Sequence, residues 1–325
     1  MSKILNSRPQ AGFSLVELLV AMLLGVVLLG GAISVLMGNL QTFRANNGIA
    51  RVQENARFAL EEISRDLRST SFMGCATGDV RIQNLVSDGS STDGHLDVVQ
   101  GLNGFEHGDI DNTVKTELGL AAESAATNLS TTSDLIVIKT LQDVGARLGA
   151  PLESGSSNFA TGSAADLGAG DILFVSDCKK GALAYVTAVT SSDVTVNLNS
   201  KELSSDTTRF EGDSILNKFE VNTYFVAPSS IHSTASSLWR KTNLSAAEEL
   251  VVGIENIQFL YGENPDPSAE TASVQYLEAD EVSNMDNVIS VRISVTANSI
   301  EAVGGQNPIT KDFAITVVLR NRNAG

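Results

Sequence analysis

Few residues in this chain have the types and spacing that chemistry needs. Glu17 stands alone as a carboxylate in an apolar run, five residues after a small-residue junction at Gly12. A charge inside a bilayer costs roughly 3 kcal/mol on insertion scales, so a carboxylate there is usually paired or functional; the alternative is a Glu near a helix end that snorkels to the interface. Cys75 and Cys178 are the only cysteines, and they lack the C-x-x-C spacing of a redox pair. His95, His107 and His232 lack H-E-x-x-H spacing, and neither a G-x-S-x-G elbow nor a G-x-x-x-x-G-K-[ST] loop occurs. Each histidine is expected in a loop or on the surface, with no metal or catalytic role. The many Asp and Glu residues read as a solvated acidic face rather than as general acid–base pairs. A structural protein without catalytic residues, metal or cofactor is therefore expected, and Trp239 is expected to pack in a strand.

These residues must be positioned by the elements around them. The chain has 325 residues, 42% of them apolar, enough to bury a core. Its net charge of −16 is uneven: residues 1 to 72 are close to neutral, whereas the remainder holds 15 basic against 33 acidic residues. Such a surface repels phosphate backbones, so nucleic acid is not an expected partner. From Phe13 to Gly38 the only charge is Glu17, and about 20 apolar residues suffice to span a bilayer as a helix. Lys3 and Arg8 precede this run, which keeps the short N-terminus cytoplasmic and sends the acidic bulk outward, in a bacterial envelope to the periplasm. No A-x-A-like cleavage site follows the run, unlike an ordinary secretory signal.

Helical patterning continues with Val52, Ala56, Ala59, Leu60, Ile63 and Leu67 on one face, and Arg57, Glu61 and Arg65 at i, i+4 spacing on another. With no proline between Phe13 and Phe72, one helix about 90 Å long is expected. Gly25, Gly30, Gly31, Gly38 and Gly48 weaken it locally and leave close packing or local melting open. Beyond Gly74, residues 134–138, 171–175 and 182–190 read as strands, the last turning through Ser191, Ser192 and Asp193 into a partner. Ile289, Val291, Ile293 and Val295 share one face of a further strand, and Phe313, Ile315, Val317 and Leu319 repeat the pattern. An antiparallel sheet packed on the helix stripe is expected. The segments 87–94, 121–133 and 153–170, rich in Ser, Thr, Gly and Ala, read as long surface loops.

Gly12-Phe13-Ser14-Leu15-Val16-Glu17 resembles the processing site of type IV prepilins and pseudopilins. The resemblance implies cleavage after Gly12, N-methylation of Phe13, and pairing of Glu17 with the N-terminal amine of a neighbouring subunit during assembly. Further stations are similar to those of PilW-type minor pilins: Asn55 with Arg57-Phe58-Ala59-Leu60, Arg65-Asp66-Leu67-Arg68 and Phe72-Met73-Gly74-Cys75. Ser176-Asp177-Cys178, Thr223-Tyr224-Phe225-Val226, Ser237-Leu238-Trp239-Arg240, Val252-Gly253-Ile254-Glu255, Tyr261-Gly262 and Leu319-Arg320-Asn321-Arg322 follow in order. After Tyr-Gly such proteins often carry an acidic segment able to hold a cation. Here Glu263-Asn264-Pro265-Asp266-Pro267 has two prolines and no glycine, so a plain turn is expected rather than a calcium site.

The expected fold is α+β and pilin-like. A cytoplasmic leader (1–12, removed) precedes a transmembrane assembly helix (13–38), its amphipathic periplasmic continuation (39–73) and a β-rich periplasmic domain (74–325). Two cysteines in an oxidising compartment suggest one disulfide, closing a loop of roughly 100 residues and contributing about 4 to 5 kcal/mol; free thiols or a redox pair are the alternatives. The resemblance implies a minor pilin in a tip or priming complex that promotes pilus assembly, motility and adhesion. Its partners would be other minor pilins, the major pilin, the prepilin peptidase and the inner membrane, with the pilus at the cell surface as destination. A minor pseudopilin of a type II secretion system and a filament-tip adhesin are the competing readings.

Overall fold

A computed structural model of the chain describes residues 12–72, 81–86, 101–121, 123, 128–152, 155–163, 166–198, 210–243, 245–266, 273–302 and 307–322. Residues 1–11 of the expected leader, Cys75, His95 and the loop 87–94 lie outside the described residues.

One helix, α1 (Leu15–Ser69), runs for 55 residues, about 80 Å. Ser14 caps its start, its Oγ accepting the Glu17 N–H at 3.3 Å. The sequence S-x-x-E is the pattern of a capping box, and Glu17 in the first turn also suits the positive end of the helix dipole. The second half buries Val52, Ala56, Ala59, Ile63 and Leu67, a single stripe at steps of three and four, with Ser64 beside it. Each fully buried Val, Ile or Leu on that stripe contributes roughly 1.5–3 kcal/mol. On the solvent side Arg57 meets Glu61 at 3.8 Å, but the expected ladder stops there, because Arg65 turns to Glu62. Glu62 is the better partner: its carboxylate is mostly shielded and also faces Arg240 at 3.6 Å.

The expected single sheet is two. The smaller is fully antiparallel, in the order β12 (Gln275–Leu277), β11 (Ile254–Glu263), β13 (Val288–Asn298), β14 (Thr310–Val318). The larger has ten strands among the described residues, centred on the 14-residue β8 (Ile215–Pro228). One edge of β8 pairs with β3 (Leu135–Arg147) from Ile215 to Tyr224, and β3 in turn pairs with β2 (Leu102–Phe105). The other edge is shared: β5 (Ile172–Ser176) takes Ile215 to Phe219, and β9 (Ser236–Thr242), followed by β10 (Glu248–Val252), takes Asn222 to Pro228. Beyond β5 lie β6 (Lys180–Val189), β7 (Asp193–Asn197) and β4 (Asn158–Ala160). The sheet is antiparallel except where β1 (Arg81–Asn84) runs parallel to β6. A short helix, α2 (Asn112–Glu117), is capped by Asp111, whose carboxylate accepts the Thr113 and Val114 N–H groups.

Two sheets form because the helix stripe is covered from two sides. Val52, Ala56, Ala59, Ile63 and Leu67 share one core with Leu102, Ile136, Ile138, Tyr224, Val226 and Leu238 of the larger sheet and with Ile257, Phe259, Val291, Ile293 and Val295 of the smaller. The opposite face of the larger sheet buries Leu135, Val137, Phe174, Phe219 and Phe225 in a second core. Buried on both faces, β3 and β5 therefore read as continuous apolar runs, whereas β13 and β14 alternate.

Polar fastenings hold the helix in this seat. Asp66 accepts hydrogen bonds from Tyr224 Oη at 2.7 Å and Asn222 Nδ2 at 2.8 Å, and Thr242 Oγ1 donates to Asn222 at 2.7 Å. Burial pushes the Asp66 pKa up, opposed by the hydrogen bond from Tyr224 and the charge of Arg240. Asn55 Nδ2 donates to the Val252 carbonyl at 2.9 Å. At the helix end Thr70 Oγ1 donates to the Gly101 carbonyl, Asn321 Nδ2 to the Thr70 carbonyl, and Arg322 Nε to Ser71 Oγ.

Asp66→Ala should lower stability by about 1–3 kcal/mol, because it leaves the buried Tyr224 hydroxyl and Asn222 amide without their acceptor. Thermal unfolding of the detergent-solubilised chain followed by circular dichroism measures this. A Cβ on Gly104 would collide with the hydroxyl and ring of the fully buried Tyr261. Gly104→Ala should therefore cost roughly 1–3 kcal/mol in the same assay, the penalty of overpacking.

Candidate functional site

The first half of α1 has no partner among the described residues. From Phe13 to Phe43 its large apolar side chains are exposed, Phe13 by 84% and Leu28 by 74%. One 18-residue window is apolar enough to cross a membrane and is 0% buried. A surface of this kind is stable only in lipid or against other helices. A Cβ at Gly25, Gly30, Gly31 or Gly38 would meet nothing within 4 Å, so packing inside the chain does not account for these glycines. Gly12 and Phe13 are exposed ahead of the Ser14 cap, and Glu17 is exposed one turn on. The junction, the carboxylate and the apolar surface thus lie at one end of one element.

The other predicted residues lie apart from that end. Cys178 occupies the turn between β5 and β6 with φ 70°, and its N–H donates to Ser176 Oγ at 3.3 Å. Asp177 fixes the same turn by accepting the Lys179 and Lys180 N–H groups. His232 is exposed in the turn between β8 and β9, where its N–H donates to Ser229 Oγ at 3.1 Å. Trp239 packs into the second core. Glu263 is buried, and its carboxylate accepts from Ser283 Oγ at 2.7 Å and from the Asn284 N–H at 2.9 Å, which hold its pKa down against the effect of burial. It thus ties β11 to the turn before β13, and Pro267 lies outside the described residues.

Sequence reasoning missed a cluster at the seam between the sheets. Glu106, His107 and Asp134 offer ligand atoms that all lie within 4.8 Å of one another. Asp134 is 2% exposed and accepts hydrogen bonds from the Phe259 N–H at 3.0 Å and Gln258 Nε2 at 3.2 Å. Glu106 accepts the Ala279 N–H at 2.8 Å. Burial, and then the negative charge of Asp134, push the Glu106 pKa up to about 7. The only signal in the sequence was the adjacency of Glu106 and His107. The pairing Phe105 with Leu135, which brings Asp134 opposite, is a contact the order of residues does not announce.

Two family models match this chain. Type IV Pilus-assembly protein W matches residues 223–321, from within β8 through β14 to the C-terminal turn that holds the helix end. The Prokaryotic N-terminal methylation motif matches residues 7–33, covering the Gly12–Phe13 junction, Glu17 and the exposed apolar helix. No curated protein and no solved structure matches. The two matched regions are the exposed apolar helix at one end and, at the other, the strands and tail that seat its second half, and over both the chain is similar to a PilW-type type IV pilin.

Proposed function

We propose that this minor pilin acts at the start of type IV pilus assembly, in a tip or priming complex with other minor pilins, and so supports twitching motility and adhesion. The observation that carries the reading is the division of α1: its apolar first half is exposed from Phe13 to Phe43, while its second half is sunk in the chain's own core. Such a subunit can wait in the inner membrane and pass its helix into a filament without unfolding its globular part.

In this reading the leader stays cytoplasmic, the prepilin peptidase cuts after Gly12, and Phe13 becomes the methylated N-terminus. The domain from residue 74 onward faces the periplasm. Glu17 then lies one helical turn from the new amine, and attraction between that carboxylate and the amine of a neighbouring pilin, the major pilin or another minor one, offsets the cost of a charge in lipid. Cys75 and Cys178 form a disulfide that ties the segment after the helix to the β5–β6 turn. Support comes from their being the only two cysteines and from Cys178 not being a free thiol.

The test is the amount of major pilin in the sheared surface fraction of a deletion strain complemented in trans. Deletion should abolish surface filaments, the native gene should restore them, and Glu17→Ala should fail to do so while the variant accumulates in the membrane. Mass spectrometry of the accumulated protein should find methylated Phe13 at its N-terminus. Filaments at normal abundance in the deletion strain would move the assignment to an accessory adhesin or a secretion pseudopilin. Cys178→Ser should lower stability by about 2–5 kcal/mol, read as the unfolding midpoint with and without reductant.

A further inference from the structure

We propose that Glu106, His107 and Asp134 form a binding site for a divalent metal ion of the zinc type, at the seam where β2 and β3 meet β11. Two carboxylate oxygens and an imidazole nitrogen are a donor set zinc takes with one position left for water. Calcium wants six or more oxygens, more than this site offers. His107 Nδ1 already stands 3.9 Å from Asp134 Oδ1. Tetrahedral ligands at about 2.1 Å from a metal lie roughly 3.4 Å apart, so a small rotation of the half-exposed His107 closes the set.

Three features favour a cation. First, Glu106 and Asp134 hold carboxylate oxygens within 4.8 Å of each other with Asp280 and Glu278 adding negative charge nearby, and the described ion pairs give neither carboxylate a Lys or Arg partner. A pair of that kind needs a positive ion between its oxygens, either a shared proton or a metal. Second, the oxygens are already oriented by donors that a metal would not displace, the N–H groups of Ala279 and Phe259 and the amide of Gln258.

Third, the fully buried Tyr261 hydroxyl has no hydrogen-bond partner among the described residues. It lies over Gly104, and because side chains alternate along a strand, Gly104 and Ile136 share a face of the β2–β3 pair with Glu106 and Asp134. Ile136 and Tyr261 belong to the same core, which places the hydroxyl on the carboxylates' side, and the charges of both carboxylates act on it. A buried hydroxyl seldom goes unpaired, and a metal-bound water is a partner this location would supply.

The test titrates zinc chloride into the full-length, detergent-solubilised, chelator-stripped protein by calorimetry at neutral pH, with calcium and magnesium chloride in parallel. One saturating zinc site is expected, with weaker or no binding of the other two, and an unfolding midpoint that rises with zinc. His107→Ala and Glu106→Gln should each weaken zinc binding at least about tenfold while leaving the far-ultraviolet circular dichroism unchanged. Absence of saturable zinc binding overturns the proposal and leaves the shared proton as the compensating charge. Zinc binding unaltered in both variants, or calcium bound as tightly as zinc, overturns it as well. None of these outcomes depends on the role in pilus assembly.

Discussion

A helix about 80 Å long with an apolar face along all of it cannot be satisfied by a domain that reaches only one half. That mismatch is the constraint on which the molecule is built. The stripe from Val52 to Leu67 is covered by both sheets, which also meet each other where β11 packs against β8 and β9. The first half is left bare from Phe13 to Phe43. Removing the stripe would take away the common floor of two sheets that share no strand.

The stations that resemble PilW-type minor pilins turn out to be partners in space. Asn55 reaches the backbone of Val252, Asp66 takes Tyr224, Arg240 faces Glu62, and Asn321 holds Thr70. Each joins a residue of α1 or its end to one in the C-terminal region that the pilus-assembly family model matches, or just beside it. Read along the chain they were short unconnected words. They are the two sides of one interface between helix and sheets.

How much could be read beforehand followed from how local each signal is. Helix periodicity, the bilayer-length run and the alternation of β13 and β14 need only a few neighbouring residues, and they were legible. The second sheet was not, because continuous apolar runs such as residues 135–138 say that both faces are covered without saying by what. The Glu106, His107 and Asp134 cluster was hidden for the same reason: its geometry depends on the β2–β3 register, set across a separation of about thirty residues. Arg65 was assigned to Glu61 on spacing alone, whereas Glu62 won through a tertiary neighbour, Arg240.

The clamp at the end of α1 has a mechanical consequence. Asn321 and Arg322 hold Thr70 and Ser71, so the last described residues of the chain grip the point where the helix stops. Tension arriving along the helix axis therefore passes at once into the tail behind β14, and by way of Asn55 and Asp66 into β10 and β8. The load divides among both sheets in parallel rather than peeling one of them from its edge, and the joint gives way only when several widely separated contacts break together.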